Sequence, residues 1–218
     1  AARIVRDAAI AAGAPENCVQ WITQPSMEAT SALMNHEGVA TILATGGNAM
    51  VKAAYSCGKP ALGVGAGNVP AYVEKSANIR QAAHDIVMSK SFDNGMVCAS
   101  EQAVIIDKEI YDEFVEEFKS YHTYFVNKKE KALLEEFCFG VKANSKNCAG
   151  AKLNPNIVGK PATWIAEQAG FKVPKGTNIL AAECAEVGIK EPLTREKLSP
   201  VIAVLKAEDT EDGLKKAR

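Results

Sequence analysis

Cys98 lies in the run Ser91-Phe92-Asp93-Asn94-Gly95-Met96-Val97-Cys98-Ala99-Ser100-Glu101-Gln102, directly ahead of the apolar stretch Ala103-Val104-Ile105-Ile106. A thiol set between an Asn-Gly turn and a strand entrance is held where a substrate can reach it, and its thiolate is a strong nucleophile. Composition alone favours the plainer alternative, a buried structural cysteine, and position does not decide between them. Thr45-Gly46-Gly47-Asn48 follows an apolar run and opens a helical pattern. Glycines there let the N–H groups of a helix start approach an anion such as a pyrophosphate. Two glycines after a strand are nevertheless more often a tight turn. Gly63-Val64-Gly65-Ala66-Gly67 is superficially like a dinucleotide fingerprint, but a third glycine at the required spacing is missing and Asn68-Val69-Pro70 starts no helix. As a Rossmann fingerprint it fails.

These residues need elements to position them, and the 218-residue chain has apolar content enough for one large domain or two small ones. Helical spacing over 3–12 stops at Gly13, ahead of Pro15. Short apolar runs then alternate with helical stretches: strands over 19–22, 39–44 and 61–64, helices over 27–34 and 49–56, a strand near 71–73 and a helix over 79–88. Such alternation predicts a parallel α/β sheet covered on both faces. Ile110, Phe114, Val115 and Phe118 mark one face of a further helix with Asp107 as its N-cap, and 128–136 forms a more exposed one. Residues 144–156, with four asparagines, Gly150 and Pro155, predict an irregular surface loop. A helix runs from Pro161 to Gly170, strands follow at 179–182 and 201–205, and a last helix begins at Asp209.

Composition narrows the partners. A formal charge of −1 with interspersed acids and bases offers no basic face for nucleic acid and no polybasic membrane anchor. No apolar run nears the ~18 residues of a membrane span, and the first residues lack the apolar core of a signal peptide. The six cysteines are scattered without a C-x-x-C pair and the three histidines stand far from them in sequence, which argues against a metal site and against a disulfide framework. Reduced thiols in a cytoplasmic protein are expected. His84, the histidine nearest to Cys98 in sequence, is expected to be an ordinary surface helix residue.

Phe92-Asp93-Asn94-Gly95-Met96-Val97-Cys98-Ala99-Ser100-Glu101-Gln102 closely resembles the active-site segment of CoA-acylating aldehyde dehydrogenases, most of all the aldehyde dehydrogenase half of bifunctional aldehyde/alcohol dehydrogenases. The segments at 44–55 and 58–68, and Glu196-Lys197-Leu198-Ser199-Pro200-Val201, occur in that family in the same order. The likeness is close over 3–110, good over 156–216 and loose between. It implies an α/β aldehyde dehydrogenase-like fold present in part: residues 1–66 as the C-terminal part of a Rossmann-like NAD-binding domain, and 67–218 as most of an α/β catalytic domain. On this likeness the chain is expected to be a middle piece, cut within helical patterns at both ends.

The resemblance makes Cys98 the catalytic nucleophile and Gly46, Gly47, Gly65 and Glu196 contacts for NAD, with CoA as co-substrate and a small aldehyde or acyl-CoA as substrate. It also implies a homo-oligomer for the full-length protein. Hydrolytic members carry a glutamate that activates water at the position 34 residues before the nucleophile, and here that residue is Val64. Valine accepts no proton, so a thioester on Cys98 would await a thiolate such as CoA. Glu101 is the nearest acid in sequence that could substitute, but it belongs to the same acylating motif. Two rivals stand beside this expectation: a stand-alone acylating enzyme, and a non-catalytic assembly module with Cys98 merely buried.

Overall fold

Residues 1–142 and 148–218 are described by a computed structural model, in which the chain forms two units, Ala1–Ala66 and Gly67–Arg218. In the first, helix α1 (Ala2–Ala11) ends where Gly13 turns into the left-handed region (φ 94°), and helix α2 (Met27–Asn35) starts on Ser26, whose hydroxyl accepts the Ala29 N–H at 3.0 Å. Strand β1 (Ile42–Thr45), helix α3 (Asn48–Ser56) and strand β2 (Ala61–Val64) complete it, the strands pairing parallel with Ile42 opposite Ala61. Ile42, Ala44 and Ala54 form its small core, while Leu43, Leu62 and Val64 remain exposed.

The strand expected at 19–22 is absent. Trp21 instead lies under the Arg6 guanidinium, 5.3 Å from its ring centre, and both Trp21 and Ile22 are exposed. A short apolar run becomes a strand only when a ladder partner takes up its N–H and C=O groups, and this run packs beside α1.

The second unit is a five-stranded parallel sheet in the order β3-β4-β7-β6-β5. Its strands are β3 (Pro70–Val73), β4 (Ala103–Asp107), β5 (Thr123–Phe125), β6 (Ile179–Glu183) and β7 (Val201–Ala207), and its helices are α4 (Ile79–Ser91), α5 (Tyr111–Ser120), α6 (Lys128–Phe139), α7 (Ala162–Ala169) and α8 (Thr210–Ala217). Alternate residues serve alternate faces. Val104, Ile106, Ile202 and Val204 pack with Ile86, Val87, Phe114 and Phe118 of α4 and α5, whereas Ala103, Ile105, Ala203 and Leu205 pack with Leu134, Cys138, Ile165 and Ala166 of α6 and α7. All five residues of β4 are buried, as a strand covered on both faces requires. β4 and β7 are central neighbours with Ala103 opposite Ala203, so the loops that feed them reach the sheet at the same edge.

One local expectation fails here because the side chain is engaged elsewhere. Asp107 does not cap α5, whose N-cap is Ile110 without side-chain help. It ends β4 instead, where its carboxylate accepts the Tyr72 hydroxyl (2.6 Å) and the Lys75 N–H (2.9 Å), too far back along the chain to reach the second or third helical N–H. The expected surface loop over 144–156 lies partly outside the described residues. Its described part is tied down: Cys148 is buried and its carbonyl accepts from Arg195 Nη2 at 2.9 Å, and Asn154 caps a short 3-10 turn, Pro155–Ile157. One strand carried no usable sequence signal: β5 is three residues long. The helix expected over 128–136 is present as α6, its start set by an Asn127/Glu130 capping box.

Candidate active site

The turn carrying Cys98 begins at the end of α4 and runs through three consecutive residues in the left-handed region, Asp93 (φ 49°), Asn94 (φ 51°) and Gly95 (φ 67°). Such a conformation costs of order 1–3 kcal/mol for a non-glycine residue and persists where surroundings enforce it. Asn94 is held by its side-chain donation to Gly159 O at 3.0 Å. At Gly95 a β-carbon would stand 2.6 Å from the Ser199 carbonyl carbon and oxygen, so only glycine lets the turn lie against the 196–200 segment. Beyond it Ser100 N–H bonds Val97 O (3.0 Å) and Ser100 Oγ bonds Gly95 O (3.3 Å), leaving Cys98 exposed on the crest of the turn just ahead of β4.

Glu196 stands on the neighbouring loop, which feeds β7. Leu198 within it is also left-handed (φ 47°), and its carbonyl accepts the Gly159 N–H at 3.0 Å. Gly159 therefore ties the Asn94 side of one loop to the Leu198 side of the other. Glu196 is half-buried. Burial pushes its carboxyl up, and the nearby Lys90 and Lys197 pull it back down.

Both lysines are fully buried. Lys197 Nζ donates to Leu193 O (2.5 Å), Arg195 O (2.8 Å) and Gln102 O (3.1 Å), three acceptors for the three N–H bonds of an ammonium. Burial draws Lys197 down to about 7 and Lys90 to about 6, the Lys197 charge adding to the effect on Lys90 while Glu101 and Glu196 oppose it. Sequence reading did not single out Lys90, Lys197 or Gln102. A lysine in the last turn of a helix, or in a loop before a strand, has no feature that announces burial.

The glycine segments belong to the first unit. Gly47 is the N-cap of α3, no side chain caps the helix, and a β-carbon there would meet nothing within 4 Å, which leaves room above the helix start. At Gly65 a β-carbon would fall 2.9 Å from Asn48 Oδ1, and at Gly63 one would fall 2.6 Å from Val51 Cγ1. Gly46, Gly47 and Gly65 thus gather around the start of α3, where peptide N–H groups and the helix dipole favour an anion. Gly46 N–H itself is taken by Val64 O at 3.1 Å. Val64 ends β2 with an exposed side chain. Glu101 has one carboxylate oxygen buried without a hydrogen-bond partner.

Residues 1–149 match the sequence pattern of the aldehyde dehydrogenase family. The chain belongs to that family. Its whole length is 94% identical to part of the aldehyde-alcohol dehydrogenase of Streptococcus pneumoniae serotype 4, of which it spans 25%. The structure of an acetylating aldehyde dehydrogenase from Geobacillus thermoglucosidasius superposes on 99% of the chain with a TM-score of 0.89 at 45% identity, the chain covering 46% of it. A Rhodopseudomonas palustris propionaldehyde dehydrogenase, described with bound CoA and an acylated cysteine, matches 99% of the chain at 34% identity with a TM-score of 0.81, the chain covering 47% of it. The chain thus spans about a quarter of the length of the aldehyde-alcohol dehydrogenase it matches.

Family membership and geometry bear on the other thiols and on the histidine. Cys138, Cys148 and Cys184 are buried, and burial pushes Cys138 and Cys184 up to about 12; Cys57 is half-buried and Cys18 exposed. His84 is exposed on α4 beside Asp85 Oδ1 at 3.1 Å. Among the described residues no group of three or more His, Cys, Asp or Glu could hold a metal ion, and no helix is long and apolar enough to cross a membrane. Iodoacetamide is expected to alkylate Cys98 at least about tenfold faster than Cys138 or Cys184, because only a reachable thiol with accessible thiolate reacts. Peptide mapping over time reads this, and earlier labelling of either buried thiol would refute the exposed-nucleophile geometry.

Proposed function

We propose that the chain supplies the nucleophile and the cofactor-contacting segments of a CoA-acylating, NAD-dependent aldehyde dehydrogenase that interconverts acetaldehyde, CoA and NAD⁺ with acetyl-CoA and NADH. On this reading the chain is part of a bifunctional aldehyde/alcohol dehydrogenase, cytoplasmic and self-assembling in its full-length form. The observation that carries it is the exposed Cys98 turn, wedged through Gly95 onto the Glu196–Pro200 segment at one edge of the sheet. The acylated cysteine described for the Rhodopseudomonas relative supports the same chemistry.

Cys98 as thiolate adds to the aldehyde carbonyl, forming a carbon–sulfur bond and moving negative charge onto the oxygen, where backbone N–H groups beside Cys98 serve as donors. NAD, when bound, would supply the hydride acceptor that oxidation of this adduct to a thioester requires. Gly46, Gly47 and Gly65 would hold its phosphates and Glu196 its nicotinamide-side ribose. The open space over Gly47 and the half-buried carboxylate of Glu196 fit an anion and a hydroxyl donor respectively. The CoA thiol gives its proton to solvent, its thiolate attacks the thioester, and the bond to Cys98 breaks to return the free thiolate. Reversed, the same steps reduce acetyl-CoA to acetaldehyde.

Val64 is what directs the acyl group to CoA rather than to water. Omitting CoA from the full-length enzyme is expected to cut steady NADH formation from acetaldehyde by at least about tenfold, and Val64→Glu should restore part of it by supplying a base for water. NADH production that is undiminished without CoA in the unsubstituted enzyme would contradict the acylating assignment.

A further inference from the structure

Gln102 is fully buried at the entrance of β4, and every polar group it has is used. Its side-chain oxygen accepts both Lys90 Nζ (3.2 Å) and the Lys197 backbone N–H (3.0 Å), while Nε2 donates to Ser100 O (3.2 Å). Its main-chain oxygen accepts Lys197 Nζ (3.1 Å) and the Ala203 N–H (3.1 Å), and its own N–H donates to Val69 O (2.7 Å). One amide therefore joins the last turn of α4, the turn that carries Cys98, and the loop that carries Glu196. Rotating it would strand two buried donors and a buried acceptor at once.

We propose that Gln102 is a positioning residue for hydride transfer, locking the Cys98 turn to the Glu196 segment so that the carbon bound to sulfur and the ribose held by Glu196 keep a fixed separation. The role rests on the NAD-dependent acylating reading given above. Its distinguishing consequence is that only the step needing both loops in register depends on the lock. Acyl exchange between Cys98 and CoA needs the thiol alone, whereas NADH formation needs the thiol and the Glu196-held ribose together.

The test separates those two steps in the full-length enzyme. Gln102→Met is expected to slow the first-turnover burst of NADH from acetaldehyde by at least about twentyfold, while exchange of labelled CoA into acetyl-CoA, measured without NAD, stays within about threefold. Gln102→Glu keeps the acceptor for Lys90 and Lys197 and is expected to bring the burst back to within about fivefold of the unsubstituted rate. Should Gln102→Met not accumulate in folded form, Lys90→Met withdraws one donor from the same oxygen and is expected to show the same separation at smaller size. An unchanged burst, or equal loss in both assays, would overturn the positioning role. An unsubstituted enzyme lacking both activities would instead overturn the acylating reading, and the positioning role with it.

Discussion

Cys98→Ala is expected to abolish CoA-dependent NADH formation from acetaldehyde in the full-length enzyme, a loss of about 10⁴-fold or more, because the proposed reaction proceeds through a bond to that sulfur. Alanine fills the site with a smaller side chain on an exposed turn, so the fold should be untouched: the urea midpoint should move by less than about 0.5 kcal/mol in free-energy equivalents. Alcohol dehydrogenase activity, if the enzyme is bifunctional as proposed, should persist. The informative comparison is the ratio of the two activities in one preparation, since misfolding lowers both. An alanine variant that still makes NADH from acetaldehyde and CoA would remove the covalent mechanism.

Gly95→Ala should be nearly as damaging for a different reason. The residue sits at φ 67°, and its β-carbon would lie 2.6 Å from the Ser199 carbonyl carbon and oxygen and 2.9 Å from Lys90 O. All three neighbours are backbone atoms, so relief requires the turn that carries Cys98 and the 196–200 segment to part. We expect a destabilisation of about 2–4 kcal/mol and a fall in kcat/KM of about a hundredfold in the protein that remains folded. Gly176→Ala is the matched control: φ there is 86° but nothing lies within 4 Å, so strain alone should cost about 1 kcal/mol and leave activity intact. Equal effects at the two positions, read from urea midpoints and activity, would show that the contact with Ser199 carries no weight.

The α/β class of the second unit was legible because its central strands are near-continuous apolar runs, interrupted only by Asp107 and Lys206 at their C-terminal ends, and because the intervening helices carry apolar residues at helical spacing. The placement of Cys98 at a strand entrance followed from the same pattern. What was not legible depends on partners distant in sequence. The apolar run at 19–22 had the composition of a strand but no ladder to join, and Asp107 had the chemistry of an N-cap but was claimed by Tyr72 and Lys75. β5 was too short to show a period. Most of all, Gln102 meets Lys197 across a separation of 95 residues and Lys90 across one of 12. A polar residue ahead of an apolar run is ordinarily a solvated strand start, and only the fold reveals that this glutamine is enclosed by two buried lysines.

The acyl-enzyme itself tests the central claim most directly. Full-length enzyme mixed with acetyl-CoA in the absence of NADH, quenched in acid and digested, should yield one acetyl group, carried by the peptide containing Cys98, and chasing with excess CoA before the quench should remove it. Acetylation at a different cysteine, or its absence under conditions where the enzyme reduces acetyl-CoA, would contradict the account.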